Sequence, residues 1–339
     1  MPNPILIDAL PEKEFFIDML TKDISLQDCI LDLVDNCVDG VNDYYDRNKR
    51  LARPQEDERY KNFKVKIALD GQHFEISDTC GGITRNLAEH YAFKLGKRKV
   101  LHKDGHAIGL YGIGMKRAMF KMGKDIFVKS STGQESFSVS IDVEKWSRTN
   151  IWKFELQPGG PLMPIGTSIL VKQLCKEVSK DFTSDKFAND LRKILSRDYV
   201  FILQKGFEAK VNGAGVKPLE IEFLELPTGE SSQILPSKIV EKVGGVSIEV
   251  TAGMAASPPD DVSAEAEIKD RDRWGWYIAC NDRVVLAADK TVKTGWGDGT
   301  RVWHPQYTGF LGVAKFSAYD PGELPWTTTK RDVDIANRS

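Results

Sequence analysis

Apolar residues recur at two spacings along this chain, and each change of spacing marks an element. From Ser25 to Asp39, one i, i+4 row holds Cys29, Leu33 and Cys37. The row beside it holds Ile30, Val34 and Val38, so the stretch predicts a helix with one apolar stripe. Ser25, with Asp28 three residues on, makes a capping-box-like start. A second helix is predicted after Gly114, with Met115, Ala118, Met119 and Met122 on one face, and a third over 181–198, with Phe187, Leu191, Ile194 and Leu195. Alternating positions on either side of Asp70-Gly71 predict a β-hairpin ending at Asp78, and those around Asn212-Gly213 predict another from Tyr199 onward. GTSILVKQL, YIACNDRVVL and TGFLGVAKFSA read as strands, LPWTTTKRDVD as a loop, and Ala252–Asp261 as a surface loop or boundary.

The length of 339 residues suggests two domains at ~150 residues each. Hydrophobic residues at 41% and charged residues at 28% exclude a collagen-like, low-complexity or disordered chain. Apolar runs such as Tyr199–Leu203 fall far short of a membrane span, so no membrane partner is expected. The early acids of the N-terminus argue against a signal peptide. The five cysteines are odd in number and form no C-x-x-C pair. That argues against a disulfide framework or a cysteine zinc site and points to a reducing, cytoplasmic setting. The histidines show no convincing ligand cluster, and His102 and His106, with glycine beside them, suit a loop rather than a zinc helix.

The net charge of −2 conceals a segregation. Asp28, Asp32, Asp35, Asp39, Asp43 and Asp46 occupy Ile24–Asp46 without a Lys or Arg. From Lys94 to Lys124 nine bases stand with one acid, Asp104. Asp28, Asp32, Asp35, Asn36 and Asp39 fall on the side of the first helix away from its apolar stripe. This is either an acidic surface helix or a face that serves a hard cation such as Mg²⁺ and orients a water. Asp78-Thr79-Cys80-Gly81-Gly82 at a strand end is either a turn or a backbone that a flat ligand approaches. Gly109, Gly112 and Gly114 before a helix start are either a flexible loop or a set of amides able to hold phosphate, with Lys116 and Arg117 adding charge. Neither a dinucleotide fingerprint nor a P-loop fits this spacing.

In this order the motifs resemble those of the GHKL superfamily: gyrase-type topoisomerases, heat-shock-90 chaperones, sensor histidine kinases and MutL. Microrchidia-like and bacterial stand-alone ATPases are closest in feel. E-x-x-x-N is met by Asp32-Leu33-Val34-Asp35-Asn36, D-x-G-x-G by Asp78 to Gly82, the G-x-x-G-x-G lid end by Gly109 to Gly114, and the strand-starting G-T by Gly166-Thr167. The resemblance implies an α+β fold. Residues 1–180 are expected to form a Bergerat-type α/β sandwich, with helices on one face of a mixed sheet, and residues 181–339 a transducer-like α/β domain. It implies ATP and Mg²⁺ as ligands, with Asn36 on the metal and Asp78 accepting from the adenine amino group, helped by Thr167 through a water. Gly82 would let the nucleotide approach, with Ile83 beside it. Gly109, Tyr111, Gly112, Ile113, Gly114, Met115 and Lys116 would line the phosphates, under a lid over Lys94–Lys103 that includes Lys97.

Two departures stand out. Cys80 replaces a motif glycine, as a buried inert thiol. Asp32 stands where the superfamily usually carries a general-base Glu one methylene longer, and a misplacement of ~1 Å costs on the order of 10²-fold in rate. In the second half, Lys330 looks like the transducer lysine that reaches the γ-phosphate in gyrase- and MutL-like relatives; its alternative is a surface lysine in a Thr-rich turn. Five of the seven tryptophans lie between Trp274 and Trp326, where packing is favoured over nucleic-acid contact because Lys and Arg are sparse. The expected function is Mg²⁺-dependent ATP binding and hydrolysis that closes the lid, moves the domains and joins two copies through the N-terminal segment. The alternative is an ATP-sensing module with little turnover, in DNA processing, chaperoning or anti-phage defence. An effector region beyond Ser339 is left open.

Overall fold

In the computed structural model, residues 11–48, 54–94, 108, 112–224, 235–255, 273–297, 299, 301–327 and 329–334 are described. Helix α1 (Lys13–Thr21) is anchored by its first residue. Lys13 is buried, and its Nζ donates to the carbonyls of Trp146 and Ile151, both at 2.8 Å, while lying 4.1 Å from the Trp146 ring centroid. Helix α2 (Leu26–Arg47) starts where the sequence predicts. Ser25 Oγ accepts from the Asp28 amide at 3.0 Å and donates to Asp28 Oδ2 at 2.7 Å, which satisfies one of the otherwise unpaired first-turn amides. Its two apolar rows, Cys29/Leu33/Cys37 and Ile30/Val34/Val38, are all buried.

Strands β1 (Lys64–Leu69) and β2 (His73–Asp78) form the first hairpin. Its turn is an Asx turn, in which Asp70 Oδ1 accepts from the amides of Gln72 at 2.7 Å and His73 at 2.9 Å. The short helix α3 (Arg85–Leu87) and helix α4 (Gly114–Met122) follow. Then come β3 (Gly123–Ser131), β4 (Ser136–Asp142), α5 (Val143–Ser147), β5 (Leu156–Gly159) and β6 (Gly166–Leu174). Val65, Ile67 and Leu69 of β1 are buried while Lys66 and Ala68 face outward, so the helices cover one face of this sheet.

The predicted 181–198 helix lies within two helices, α6 (Lys176–Phe182) and α7 (Asp185–Asp198), broken at Thr183-Ser184. Tyr199–Leu203 differs from the strand expected there. Val200–Gln204 is helical (α8), and Tyr199 to Leu203 are all buried. A helix enclosed on every side has no polar stripe, so its composition mimics a buried strand. The hairpin around Asn212-Gly213 is confined to β7 (Glu208–Val211) and β8 (Ala214–Gly215). Because β7 pairs in parallel with β1, the first sheet runs β5-β4-β3-β6-β2-β1-β7-β8 and draws on residues well past the boundary expected at 180.

A second mixed sheet runs β12-β11-β13-β10-β9. Its strands are β9 (Ser237–Val243), β10 (Val246–Met254), β11 (Gly275–Cys280), β12 (Arg283–Asp289) and β13 (Phe310–Ala318). Val200 and Phe201 of α8 pack with Tyr277, Ala279, Val284, Leu311 and Val313 of this sheet. Another continuous core reaches from Ile24 to Trp326, so one apolar interior spans both sheets. Most of the late tryptophans serve packing. The Trp296 ring lies 4.8 Å from Trp303 and 5.6 Å from Phe310, and Trp326 is buried.

At one crossing two glycines are required. A Cβ on Gly166 (φ +138°) would fall 1.9 Å from the Asp78 carbonyl oxygen, and one on Gly82 (φ +65°) 2.0 Å from the Ser131 carbonyl oxygen. Both contacts are with backbone, which cannot rotate aside. Gly166→Ala is therefore expected to lower unfolding stability by at least about 2 kcal/mol, measured by urea denaturation. An unchanged midpoint would contradict this account of the crossing.

Candidate functional site

The polar side of α2 is not a bare acidic surface. Asp28 pairs with Arg331, which also reaches Asp198 Oδ2 at 2.6 Å. Asp35 is 2% exposed and is met from three directions. Lys330 Nζ donates to its Oδ2 at 2.7 Å, while Arg283 Nε at 3.1 Å and Tyr199 Oη at 2.5 Å donate to its Oδ1. Asp32, one turn before Asn36, binds Arg117 Nη2 through Oδ2 at 2.6 Å, and its Oδ1 lies 3.9 Å from Lys330 Nζ. Asn36 itself is exposed.

Burial alone would raise the Asp35 pKa, but Lys330 and Arg283 outweigh it and hold the carboxyl below its ordinary value. Burial likewise works against the Lys330 ammonium, yet Asp35 and then Asp32 keep its pKa above the usual lysine value. Lys330 is 7% exposed and adopts φ +55°. A non-glycine residue in that region signals a conformation imposed by its surroundings, here by the ion pairs.

Asp78 closes β2 beside α2. Its Oδ1 accepts from the Cys80 amide at 2.7 Å, and Cys37 Sγ lies 3.6 Å from its Oδ2. Burial pushes the Asp78 carboxyl up to about 6, against the lowering effect of the amides of Cys80 and Thr167. Burial also raises the Cys80 thiol well above its ordinary value, which keeps it protonated and inert. The Gly81 and Gly82 carbonyls are gripped by Arg47 Nη2 at 2.8 and 2.9 Å. Ser130 Oγ accepts from the Ile83 amide at 2.8 Å and lies 2.9 Å from Thr167 Oγ1. Ile83 and Thr167 therefore share the floor of the Asp78 loop. The absent side chain of Gly82 is demanded by Ser131, whatever ligand approaches.

The start of α4 comes against this face. Gly112 has φ +64°, and Ile113 and Gly114 lead into the helix with Met115 buried beneath. Lys116 differs from the expectation of a side chain turned to phosphate. It is 1% exposed, and its Nζ donates to the carbonyls of Ala92 and Gly112, so it holds the glycine turn from below. Asp39 Oδ1 accepts from the Ile108 amide at 2.6 Å. Lys97, Gly109 and Tyr111 lie outside the described residues, as do residues 95–103 of the expected lid. Among the described residues, no group of three or more His, Cys, Asp or Glu could hold a metal ion. None of their helices is long and apolar enough to cross a membrane.

Sequence reasoning missed Arg47, Asp198, Tyr199, Arg283 and Arg331 in these networks, and it placed Arg117 as charge at the α4 start rather than as the partner of Asp32. Of the missed residues, Arg331 adjoined one already singled out, Lys330. Residues 24–167 match the family described as histidine kinase-, DNA gyrase B- and HSP90-like ATPase. No curated protein matches the chain.

Two stability measurements separate the carboxylates of Asp35 and Asp78. Asp35→Asn, which takes from Lys330 and Arg283 the carboxylate nearest to each, is expected to cost about 3 kcal/mol at pH 7. Because the folded pKa of Asp35 is depressed, its contribution is present above the unfolded value and disappears as pH falls through and below about 4, narrowing the gap. Asp78 has the opposite sign. Its raised pKa makes the ionised form a burden above pH 6, so Asp78→Asn should match or exceed wild-type stability at pH 7.5. That advantage should fade as pH falls through 6 and the wild type takes up its proton. A pH-independent difference for either variant would refute the assignment.

Proposed function

With residues 24–167 belonging to the GHKL ATPase superfamily, we propose that this chain binds Mg²⁺–ATP along the polar side of α2 and hydrolyses it there. One observation carries the reading: Asp32, the α4 start and Lys330 come from three remote stretches of sequence and meet. Lys330 Nζ lies 3.9 Å from Asp32 Oδ1, and a Cβ on Gly114 would lie 3.0 Å from the Asp32 carboxyl. A carboxylate, a helix N-terminus and a lysine are the groups that phosphoryl transfer needs for water, phosphate and developing charge.

The nucleotide's adenine amino group would donate to Asp78 above its raised pKa, with Thr167 assisting through a water, while Gly82 and Ile83 form the floor. The amides at Gly112, Ile113 and Gly114 would face the phosphates, over Met115. Lys116 would shape that turn through the Gly112 carbonyl, and Gly109, Tyr111 and Lys97 would complete the lid side. The exposed Asn36 amide oxygen fits a cation that keeps phosphate oxygens and waters as its remaining ligands, as Mg²⁺ does. Bound there, the ion would screen the triphosphate charge. Asp32 Oδ1 would accept from the attacking water, and Lys330 would stabilise charge on the terminal phosphate. Joining of two copies through the N-terminal segment is supported by Phe15 and Met19, one turn apart on α1 and both exposed.

Steady-state hydrolysis tests this. Asp32→Ala and Asn36→Ala should each lower kcat by at least ~10²-fold, the range for losing a general base or an essential positioning group. Equal turnover in wild type and Asn36→Ala, or calorimetry showing no affinity for Mg²⁺–ATP, would end the reading. Nucleotide affinity without Asn36-dependent turnover would leave an ATP sensor in its place.

A further inference from the structure

We infer that Arg117 is the positioning residue for Asp32. The pair adapts a short carboxylate to its task by fixing one oxygen and leaving the other for water. This rests on the role given above to Asp32.

Four observations lead there. The Arg117 guanidinium bonds Asp32 Oδ2 at 2.6 Å, with the two side chains 21% and 12% exposed, a shielded setting where such a pair is directional and strong. Arg117 lies in the first turn of α4, where its amide donates to the Ile113 carbonyl at 2.9 Å. The ion pair therefore ties the catalytic carboxylate to the very turn whose amides would face phosphate. Arg117 Nε is buried and finds no acceptor among the described residues. An arginine placed for packing alone would rarely leave that proton unsatisfied, whereas one held in place by its bond to Asp32 does. Finally, α4 approaches so closely that a Cβ on Gly114 would lie 3.0 Å from both Cγ and Oδ2 of Asp32. That approach takes up the length a longer side chain would have supplied.

The geometry also divides the carboxylate. Oδ2 is occupied by Arg117, while Oδ1 faces the Lys330 side. Rotation about χ2 would exchange the two oxygens and swing the reactive one away. The Arg117 bond opposes that rotation.

The test is steady-state ATP hydrolysis, with kcat and KM resolved, in wild type, Arg117→Met, Arg117→Lys and Asp32→Glu. Arg117→Met should lower kcat by roughly 30-fold or more, with KM for ATP within about twofold, because misplacing the carboxylate by ~1 Å acts on the chemical step. Arg117→Lys keeps the charge with a single, less directional donor and should give an intermediate kcat at unchanged KM. It carries the test if Arg117→Met does not fold. Asp32→Glu should not raise kcat, since α4 already stands close to the shorter carboxylate and Arg117 holds its Oδ2. A tenfold rise in KM with kcat intact would overturn the proposal and make Arg117 a phosphate ligand. No change in either constant would reduce the pair to packing, and a faster Asp32→Glu enzyme would refute the spatial argument. Absence of turnover in the wild type would remove the ATPase reading and this proposal together, a pattern distinct from each of the others.

Discussion

The buried carboxylate of Asp35 is the constraint on which the arrangement depends. An ionised group at 2% exposure is tolerable only when its charge and lone pairs are met, and here Lys330, Arg283 and Tyr199 meet them. These partners come from the end loop, from β12 and from the junction of α7 with α8. One side chain on α2 therefore fixes where three later stretches of the chain must lie. The pairing continues outward, since Arg283 Nη1 lies 3.4 Å from Asp198 Oδ2 and Arg331 joins Asp198 to Asp28. Removing any one member weakens the compensation of another buried group, which is how such networks favour one docking geometry.

The backbone crossing behind the site works by a different principle. Gly82 and Gly166 let the Asp78 loop, β3 and β6 pass at distances no side chain would survive. Arg47 then closes the loop by holding two of its carbonyls. Asp78 is enclosed between this loop and α2, with a thiol rather than a cation beside it. That is why its pKa moves up to about 6 while Asp35, deeper still, moves down. Burial is common to both, and the partners decide the sign.

The local devices were legible in the sequence because their causes are local. The Ser25 cap, the apolar stripe of α2, the α4 start and the hairpins at Asp70-Gly71 and Asn212-Gly213 each rest on residues a few positions apart. The motif order from Asp32 to Thr167 carried the superfamily and the mixed α/β architecture. What stayed hidden is long-range. The acidic and basic blocks of the sequence are segregated, yet among the described residues the basic block supplies Arg117 to Asp32. The carboxylates at Asp28 and Asp35 are met by Arg331, Lys330 and Arg283, about 250 to 300 positions away. No periodicity reports such a separation. The helix at Val200–Gln204 was misread for a related reason, since burial by two sheets removes the polar positions that betray a helix. The reach of the first sheet to Ala214–Gly215 depends on a parallel pairing with β1 that nothing near residue 208 announces.

The pairing also resolves an electrostatic difficulty in the acidic helix itself. A triphosphate carries several negative charges, and each unpaired carboxylate ~5 Å away would repel a unit charge by roughly 3 kcal/mol at an effective dielectric of 20. Three such groups on α2 would make the face hostile to the very ligand its motif implies. In the fold, Asp28, Asp32 and Asp35 are each matched by a cation of the protein, and the position that remains exposed among them is the neutral Asn36. The carboxylates thus keep their geometry while their charge is largely cancelled. Lys330 is shared, 2.7 Å from Asp35 and 3.9 Å from Asp32. Any anion that draws its ammonium outward must compete with Asp35, and in doing so pulls on a loop that Arg331 ties to the same helix. The charge of this face and the position of the loop that carries Lys330 and Arg331 are therefore linked through the same carboxylates of α2.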